Sequence, residues 1–229
     1  MENYLKGNDA YWQQGYEGEN VESFVFRVYG RILKHELGLS GQNGERMLDF
    51  GCGDGAALAF FNRKGFDVYG VDISRSAIEG CRKRMPHLAD HFEVIDPKPS
   101  PNDRFFHGGG GYDLVTAIQS LYYYSPEDLE VRLLSLKEQM KPGGVIYATM
   151  MGTKCWYYEH SRPCSNGMRV VDFKTSRQEC HDYYVTFTES EEDLIRKFSM
   201  FKKRHVGYYD ACYREDEGSE FHWIFIGQA

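Results

Sequence analysis

The run Asp49-Phe50-Gly51-Cys52-Gly53-Asp54-Gly55 joins an apolar strand-like stretch, ERMLDF, to a helical stretch that begins at Ala56. Glycines at alternate positions let a chain turn tightly and let a ligand approach bare backbone beside a helix N-terminus. Asp72 ends the next strand-like run, 21 residues beyond Gly51, where a carboxylate can accept hydrogen bonds from ribose hydroxyls. These features fit any adenosine-bearing ligand in a crevice at strand ends. The details separate the options. A dinucleotide fingerprint is G-x-G-x-x-G, with amide donors left free for a pyrophosphate. Here the spacing is G-x-G-x-G, with Asp49 just before the turn and Asp54 inside it. Two carboxylates there would repel a pyrophosphate but not a zwitterionic ligand carrying a sulfonium. No Gly-Lys-Ser/Thr follows, so the phosphate-cradling P-loop is excluded as well.

The elements that must position these residues can be read from periodicity. Apolar residues at Val21, Phe24, Val25, Val28, Ile32, Leu33 and Leu37 repeat at helical spacing over 20–37, and Gly38 stops the run. Strands are expected at 45–50, 67–72, 92–96, 112–118 and 144–150. Helices are expected between them at 56–64, at 74–84 with Ser74 as N-cap, and from Pro126 to about Met140 with Ser125 as N-cap. Residues 97–111 hold three prolines and four consecutive glycines and must form a loop. After Met151 the rhythm breaks. Two short strands are expected at 168–173 and 183–187, then a helix opened by a Thr188/Glu191 capping box, then strands at 204–211 and 221–228. The tight link between the last two strands makes that pair antiparallel.

Strand–helix alternation implies parallel strands joined by crossover helices, a doubly wound α/β sheet with helices on both faces. The length suits one domain, 1–229: an N-terminal helical cap (1–40), a ligand-binding core (45–150), an insertion after strand five (151–187), and a last helix with two strands (188–229). A net charge of −7 argues against a broad phosphate-binding surface, so nucleic acid is an unfavoured partner. No apolar run approaches the length of a bilayer span, and no secretory leader is evident. The six cysteines are dispersed without a CxxC pair, which suggests reduced thiols and a cytoplasmic protein, with no metal site.

The sequence resembles the class I S-adenosylmethionine-dependent methyltransferases over about residues 45–150. DFGCGDG matches the first motif, GVDIS the second, Asp96 ends the third strand, YDLVTAIQSLYYY is the fourth, and LKPGG precedes the fifth. The resemblance implies a Rossmann-like, seven-stranded, mostly parallel sheet with an antiparallel last strand. It implies S-adenosylmethionine as cofactor, S-adenosylhomocysteine as product, and no metal. By the same resemblance, Asp49, Gly51, Cys52 and Gly53 pass the methionine moiety, Asp72 and Ile73 the ribose, and Asp96 the adenine. Gln119 is placed near the transferable methyl. The PKPSP run after Asp96 departs from the family's usual continuation.

A methyl acceptor needs to be held in line with the sulfonium, and a hydroxyl acceptor also needs a proton-accepting group within reach. The resemblance places the acceptor beyond strands four and five, under the N-terminal segment. Aromatic residues collect in those regions: Tyr11, Trp12 and Tyr16; Tyr122, Tyr123 and Tyr124; Trp156, Tyr157 and Tyr158. Tyr11, Trp12, Tyr122 and Trp156 are the candidate acceptor contacts. His160 and Tyr123 are the first candidate bases, followed by His181 and His205. The expected activity is methyl transfer to oxygen or nitrogen of a small molecule. The alternatives are a protein or RNA methyltransferase, or a non-catalytic cofactor-binding regulator.

Overall fold

The computed structural model describes residues 21–106, 111–171, 183–213 and 218–229. Tyr11, Trp12, Tyr16 and His181 therefore lie outside the described residues. Among the described residues there are ten strands: β1 (Arg46–Phe50), β2 (Asp67–Asp72), β3 (Phe92–Val94), β4 (Tyr112–Ala117), β5 (Met140–Met151), β6 (Ser161–Pro163), β7 (Arg169–Val171), β8 (Tyr183–Val185), β9 (Lys202–Tyr209) and β10 (His222–Gln228). Six α-helices accompany them: α1 (Ser23–Val28), α2 (Ala56–Lys64), α3 (Arg75–Arg84), α4 (Pro126–Lys137), α5 (Trp156–Glu159) and α6 (Glu191–Lys197). Among the described residues, no helix is long and apolar enough to cross a membrane.

The main sheet has seven strands in the order β3-β2-β1-β4-β5-β10-β9. Strands β1 to β5 are mutually parallel, and β10 runs antiparallel to both β5 and β9. This is the expected Rossmann-like sheet. Its strands read as nearly continuous apolar runs because both faces are covered. Alternate residues serve opposite layers. Leu48, Val115, Ile146, Ala148 and Phe225 face a core closed by Leu129 and Leu133 of α4 and Leu194 of α6. Met47, Leu114, Val145, Tyr147 and Ile226 face the other, closed by Val25 and Val28 of α1, Leu58 and Phe61 of α2, and Ile78 of α3.

Local expectations failed at four places. The long first helix is α1 followed by a π-helical turn, Tyr29–Leu33, in which the Lys34 amide bonds the Tyr29 carbonyl at 2.9 Å. Gly30, a weak helix former, sits inside that turn. Strand β5 begins at Met140, so the KPGG run is drawn into the strand, with a register shift against β4. Thr188 does not cap the late helix. Its amide bonds the Met151 carbonyl, and Ser190 caps instead by accepting from the Asp193 amide at 3.2 Å. The insertion holds a third strand, β6, which pairs with β7 in a small sheet, β6-β7-β8. That strand is short and ends in Pro163, which suits an edge and hides it from periodicity.

One buried cation ties the layers near the carboxyl end of β1. Arg132 of α4 is fully buried, pairs with Asp103 at 2.8 Å, and lies over the rings of Phe50, Phe105 and Tyr124 at 5.0, 5.4 and 5.7 Å. Removing one partner of such a pair strands a charge in low dielectric, which costs more than removing the charge itself. Asp103 keeps some solvent contact, which moderates the loss. Asp103→Ala should therefore lower unfolding free energy by about 2–3 kcal/mol, and Arg132→Met by less. Urea denaturation of both variants checks the order.

Candidate active site

The chain runs outward from β1 through β2 and β3 on one side and resumes with β4 on the other, so the strand order reverses at β1 and opens a crevice at the carboxyl ends. A cleft of about 1290 Å³ occupies that position. Its wall includes Asp49, Gly51, Cys52, Gly53, Asp72, Ile73 and Gln119, together with Tyr122 and Tyr123. Sequence reasoning thus named residues that the fold brings together from three separate segments.

The glycine turn is held by backbone bonds. The amides of Gly51 and Cys52 both donate to the Val71 carbonyl, at 2.8 and 3.1 Å. Gly51 has φ 74°, and a Cβ there would stand 2.4 Å from Cβ of Ser120. Gly53 has φ 53° but open space around a would-be Cβ, so its backbone is approachable. Asp72 fixes this surface: one carboxylate oxygen accepts from the Gly53 amide at 2.9 Å and the other from the Ser74 amide at 2.8 Å. Ser74 in turn caps α3 by accepting from the Ala77 amide.

The two carboxylates set against a pyrophosphate are not two bare charges. Asp54 pairs with Arg84 of α3 at 2.6 Å. Asp49 is buried and accepts a 2.6 Å hydrogen bond from the Thr116 hydroxyl. Burial pushes its carboxyl up to about 7, aided by the neighbouring Asp72 charge and opposed by the Thr116 bond. The repulsion argument is weaker than the sequence suggested. What it leaves is a carboxyl poised to ionise when a cation arrives beside it.

Three expected site residues stand apart from the cleft wall. Asp96 is exposed and folds back to accept from the Lys98 amide at 2.8 Å, while its neighbours Ile95 and Pro97 join the wall. The proline-rich run turns its carboxylate aside. His160 is exposed at the end of α5, stacked on Trp156 with ring centres 3.6 Å apart, and its Nδ1 lies 2.9 Å from the Trp156 carbonyl. Neither Trp156 nor His160 belongs to the wall; Tyr157 between them does. His205 is also remote, paired with Glu36 at 2.7 Å.

Tyrosines are prominent in the rest of the cleft wall. Tyr123 and Tyr183 share a 2.6 Å hydroxyl–hydroxyl hydrogen bond, and both line the cleft. Gln119 has φ 53°, an uncommon conformation for a residue with a side chain, and its Nε2 donates to the Tyr209 hydroxyl at 2.8 Å. Sequence reasoning missed Tyr209 and His222, which stack with centres 5.0 Å apart. A signal existed. The first residue of an antiparallel last strand lies at the carboxyl edge of its parallel neighbours, and His222 opens β10 opposite Met151.

Comparison with known proteins agrees with this geometry. The family model described as a methyltransferase domain matches residues 21–211. An O-methyltransferase of Penicillium expansum, cnsE, is 30% identical over 141 residues, covering 58% of this chain and 47% of that protein. A dTDP-3-amino-3,4,6-trideoxy-alpha-D-glucopyranose N,N-dimethyltransferase of Streptomyces venezuelae is 28% identical over 102 residues, 44% of this chain and 40% of that one. The crystal structure of magnesium protoporphyrin IX methyltransferase from Synechocystis, which carries S-adenosylhomocysteine, superposes with a TM-score of 0.62. It is 16% identical, with 98% of this chain and 99% of that one covered. The chain spans about half the length of the first curated relatives it matches. It belongs to the methyltransferase-domain family, with the Rossmann-like fold of class I S-adenosylmethionine-dependent methyltransferases.

Asp49 makes the site costly at neutral pH. Its folded-state pKa is raised, so the folded protein holds a proton that the unfolded chain has already released. Stability from this group is present below the ordinary 3.8 and is lost as pH rises through about 7. Asp49→Asn removes the buried charge and keeps an oxygen for Thr116. Thermal melts should show the variant gaining on the parent between pH 5 and pH 8, by at most about 3 kcal/mol.

Proposed function

We propose that the chain transfers a methyl group from S-adenosylmethionine to an oxygen or nitrogen of a small organic acceptor. The observation that carries this reading is one continuous cleft, with the glycine turn and Asp72 at one end and a tyrosine-lined chamber at the other. Its volume exceeds the roughly 300–1,000 Å³ of a pocket for one drug-sized ligand, which leaves room for cofactor and acceptor together.

The residues fit the cofactor. Open space at Gly53 admits a ligand to the backbone. Asp72, fixed by two amides in the cleft wall, brings a carboxylate acceptor to the place expected for ribose hydroxyls, and Ile73 offers an apolar surface beside it. Asp49 lies where a positive charge would favour its ionised form. When bound, S-adenosylmethionine supplies an electrophilic methyl carbon on sulfonium. The protein's task is then to orient the acceptor and exclude water, which Gln119, Tyr122, Tyr123 and Tyr209 do from the far wall. A small acceptor is favoured over RNA because carboxylates dominate the wall: among the described residues, Lys83 is its single ammonium or guanidinium. The relatives named above as an O-methyltransferase and an N,N-dimethyltransferase support the same class of reaction.

Thermal melting with saturating S-adenosylmethionine, S-adenosylhomocysteine, NAD and ATP tests the cofactor. A ligand at 100 times its Kd adds about 2.7 kcal/mol, and the first two alone should shift the melt. A shift with NAD alone would overturn the reading. By calorimetry, Asp72→Ala should weaken S-adenosylhomocysteine binding by about 1–3 kcal/mol, the loss of charge-assisted hydrogen bonds.

A further inference from the structure

His222 is a buried polar group that the roles above leave unused. It lies in the cleft wall and is 3% exposed. Its Nδ1 is 2.8 Å from the Glu220 carbonyl oxygen, which can only accept, so Nδ1 carries the hydrogen and Nε2 carries the lone pair. That lone pair is buried and has no hydrogen-bond partner among the described residues. The ring cannot easily turn away. Tyr209 stacks on it at 6° between planes, Tyr122 packs against it at 5.5 Å, and Tyr209 is itself stacked on Phe24 of α1 at 3.9 Å. A buried acceptor held in place and given no donor is a site prepared for one.

We propose that Nε2 of His222 accepts the hydrogen bond of a hydroxyl-bearing methyl acceptor and takes its proton during transfer. This rests on the methyl-transfer reading. The acceptor's O–H bond breaks with its electron pair left on oxygen, and the proton ends on Nε2. An oxygen pair forms the new bond to carbon, and the pair of the breaking carbon–sulfur bond leaves with sulfur.

The choice of hydroxyl follows from basicity. Burial pushes the imidazole down to about 4, against weaker upward pulls from the Glu220 carbonyl bond and Asp210. The other titratable groups packed on the ring, Tyr122 and Tyr209, are phenols, and burial raises the Tyr209 hydroxyl well above its ordinary value. So weak a base does not strip a hydroxyl beforehand. It can take a proton from an oxygen that is already gaining a bond to carbon, because that proton has become strongly acidic. An aliphatic ammonium product would keep its proton against such a nitrogen. The bare lone pair therefore suits an acceptor that brings a hydrogen to donate, as an alcohol or phenol does.

The test uses the full chain saturated with S-adenosylhomocysteine, with ¹⁵N-labelled histidine followed by NMR. Phenol is the probe, and toluene is its match in shape without the donor. At pH 7 His222 should show a hydrogen on Nδ1 and a bare Nε2. Phenol should move the Nε2 resonance and toluene should not. By titration, phenol should bind about tenfold more tightly than toluene, the ratio one hydrogen bond supplies. His222→Phe should keep S-adenosylhomocysteine affinity within about twofold and lose the preference for phenol, and His222→Gln should recover part of it. A hydrogen on Nε2, or an Nε2 resonance that phenol leaves unmoved, overturns the proposal. If the phenylalanine variant does not fold, the parent spectrum decides alone. Failure of the parent to bind S-adenosylhomocysteine would strike the methyl-transfer reading, whereas binding with an unresponsive His222 strikes this inference alone.

Discussion

Both oxygens of the Asp72 carboxylate are engaged by backbone amides, and the cofactor wall depends on that grip. Gly53 donates from the turn after β1, and Ser74 donates from the start of α3. One side chain at the end of β2 thereby sets the distance between the glycine turn and the next helix. Charge-assisted bonds to amides are among the stronger single interactions in a folded chain. They matter here because Gly55 precedes α2 in a left-handed conformation, with the Ala56 amide donating to Asp54 at 3.3 Å. Without Asp72, the turn would keep its bonds to Val71 and the Asp54–Arg84 pair, but Gly53 would lose its tie to the start of α3.

The same neighbourhood accepts two buried charges that a purely structural core would avoid. Arg132 is neutralised by Asp103 and covered by three rings, so its cost is spread over the loop, β1 and α4. Asp49 has no cation beside it among the described residues, and the hydroxyl of Thr116 offsets only part of its desolvation. The difference follows from position. Arg132 sits behind the wall and stabilises a junction, whereas Asp49 sits in the wall and is left electrostatically unsatisfied at a place suited to a cationic ligand. Perturbed carboxyls concentrate at such places because binding needs a charge that folding would discard.

How much of this could be read from the sequence divides along local and non-local lines. The glycine turn, Asp72 and the alternation of strands and helices are encoded within about 30 residues at a time, and each local preference agrees with the sheet that forms. Thr188 shows the limit: its spacing to Glu191 satisfies a capping rule, yet pairing with Met151 takes its amide and the cap passes to Ser190. Asp96 shows another. The prolines after it were visible, but the direction in which they turn its carboxylate depends on packing. The acceptor end joins α1, the turn after β4, the insertion and the β9–β10 hairpin, and no single window of sequence contains that arrangement. His160 drew attention by standing among aromatics in an insertion, and its partner proved to be Trp156, one turn away.

His222 and Tyr209 belong to the opposite case, residues with little local signal that topology places in the cleft wall. Strand β10 runs against β5, so its first residue arrives where the parallel strands end, and β9 delivers Tyr209 directly beside it. Gln119 reaches across from the end of β4 to the Tyr209 hydroxyl, at the cost of an uncommon backbone angle. The phenylalanine of α1 completes the stack from the other side. Besides β10 itself, α1, the end of β4 and β9 thus fix one imidazole, through the rings of Phe24, Tyr122 and Tyr209 and the amide of Gln119. With only a backbone carbonyl on Nδ1, and the upward pull of Asp210 outweighed by burial, the lone pair stays available across the physiological pH range, which a carboxylate partner on Nδ1 would alter by raising the basicity of the ring.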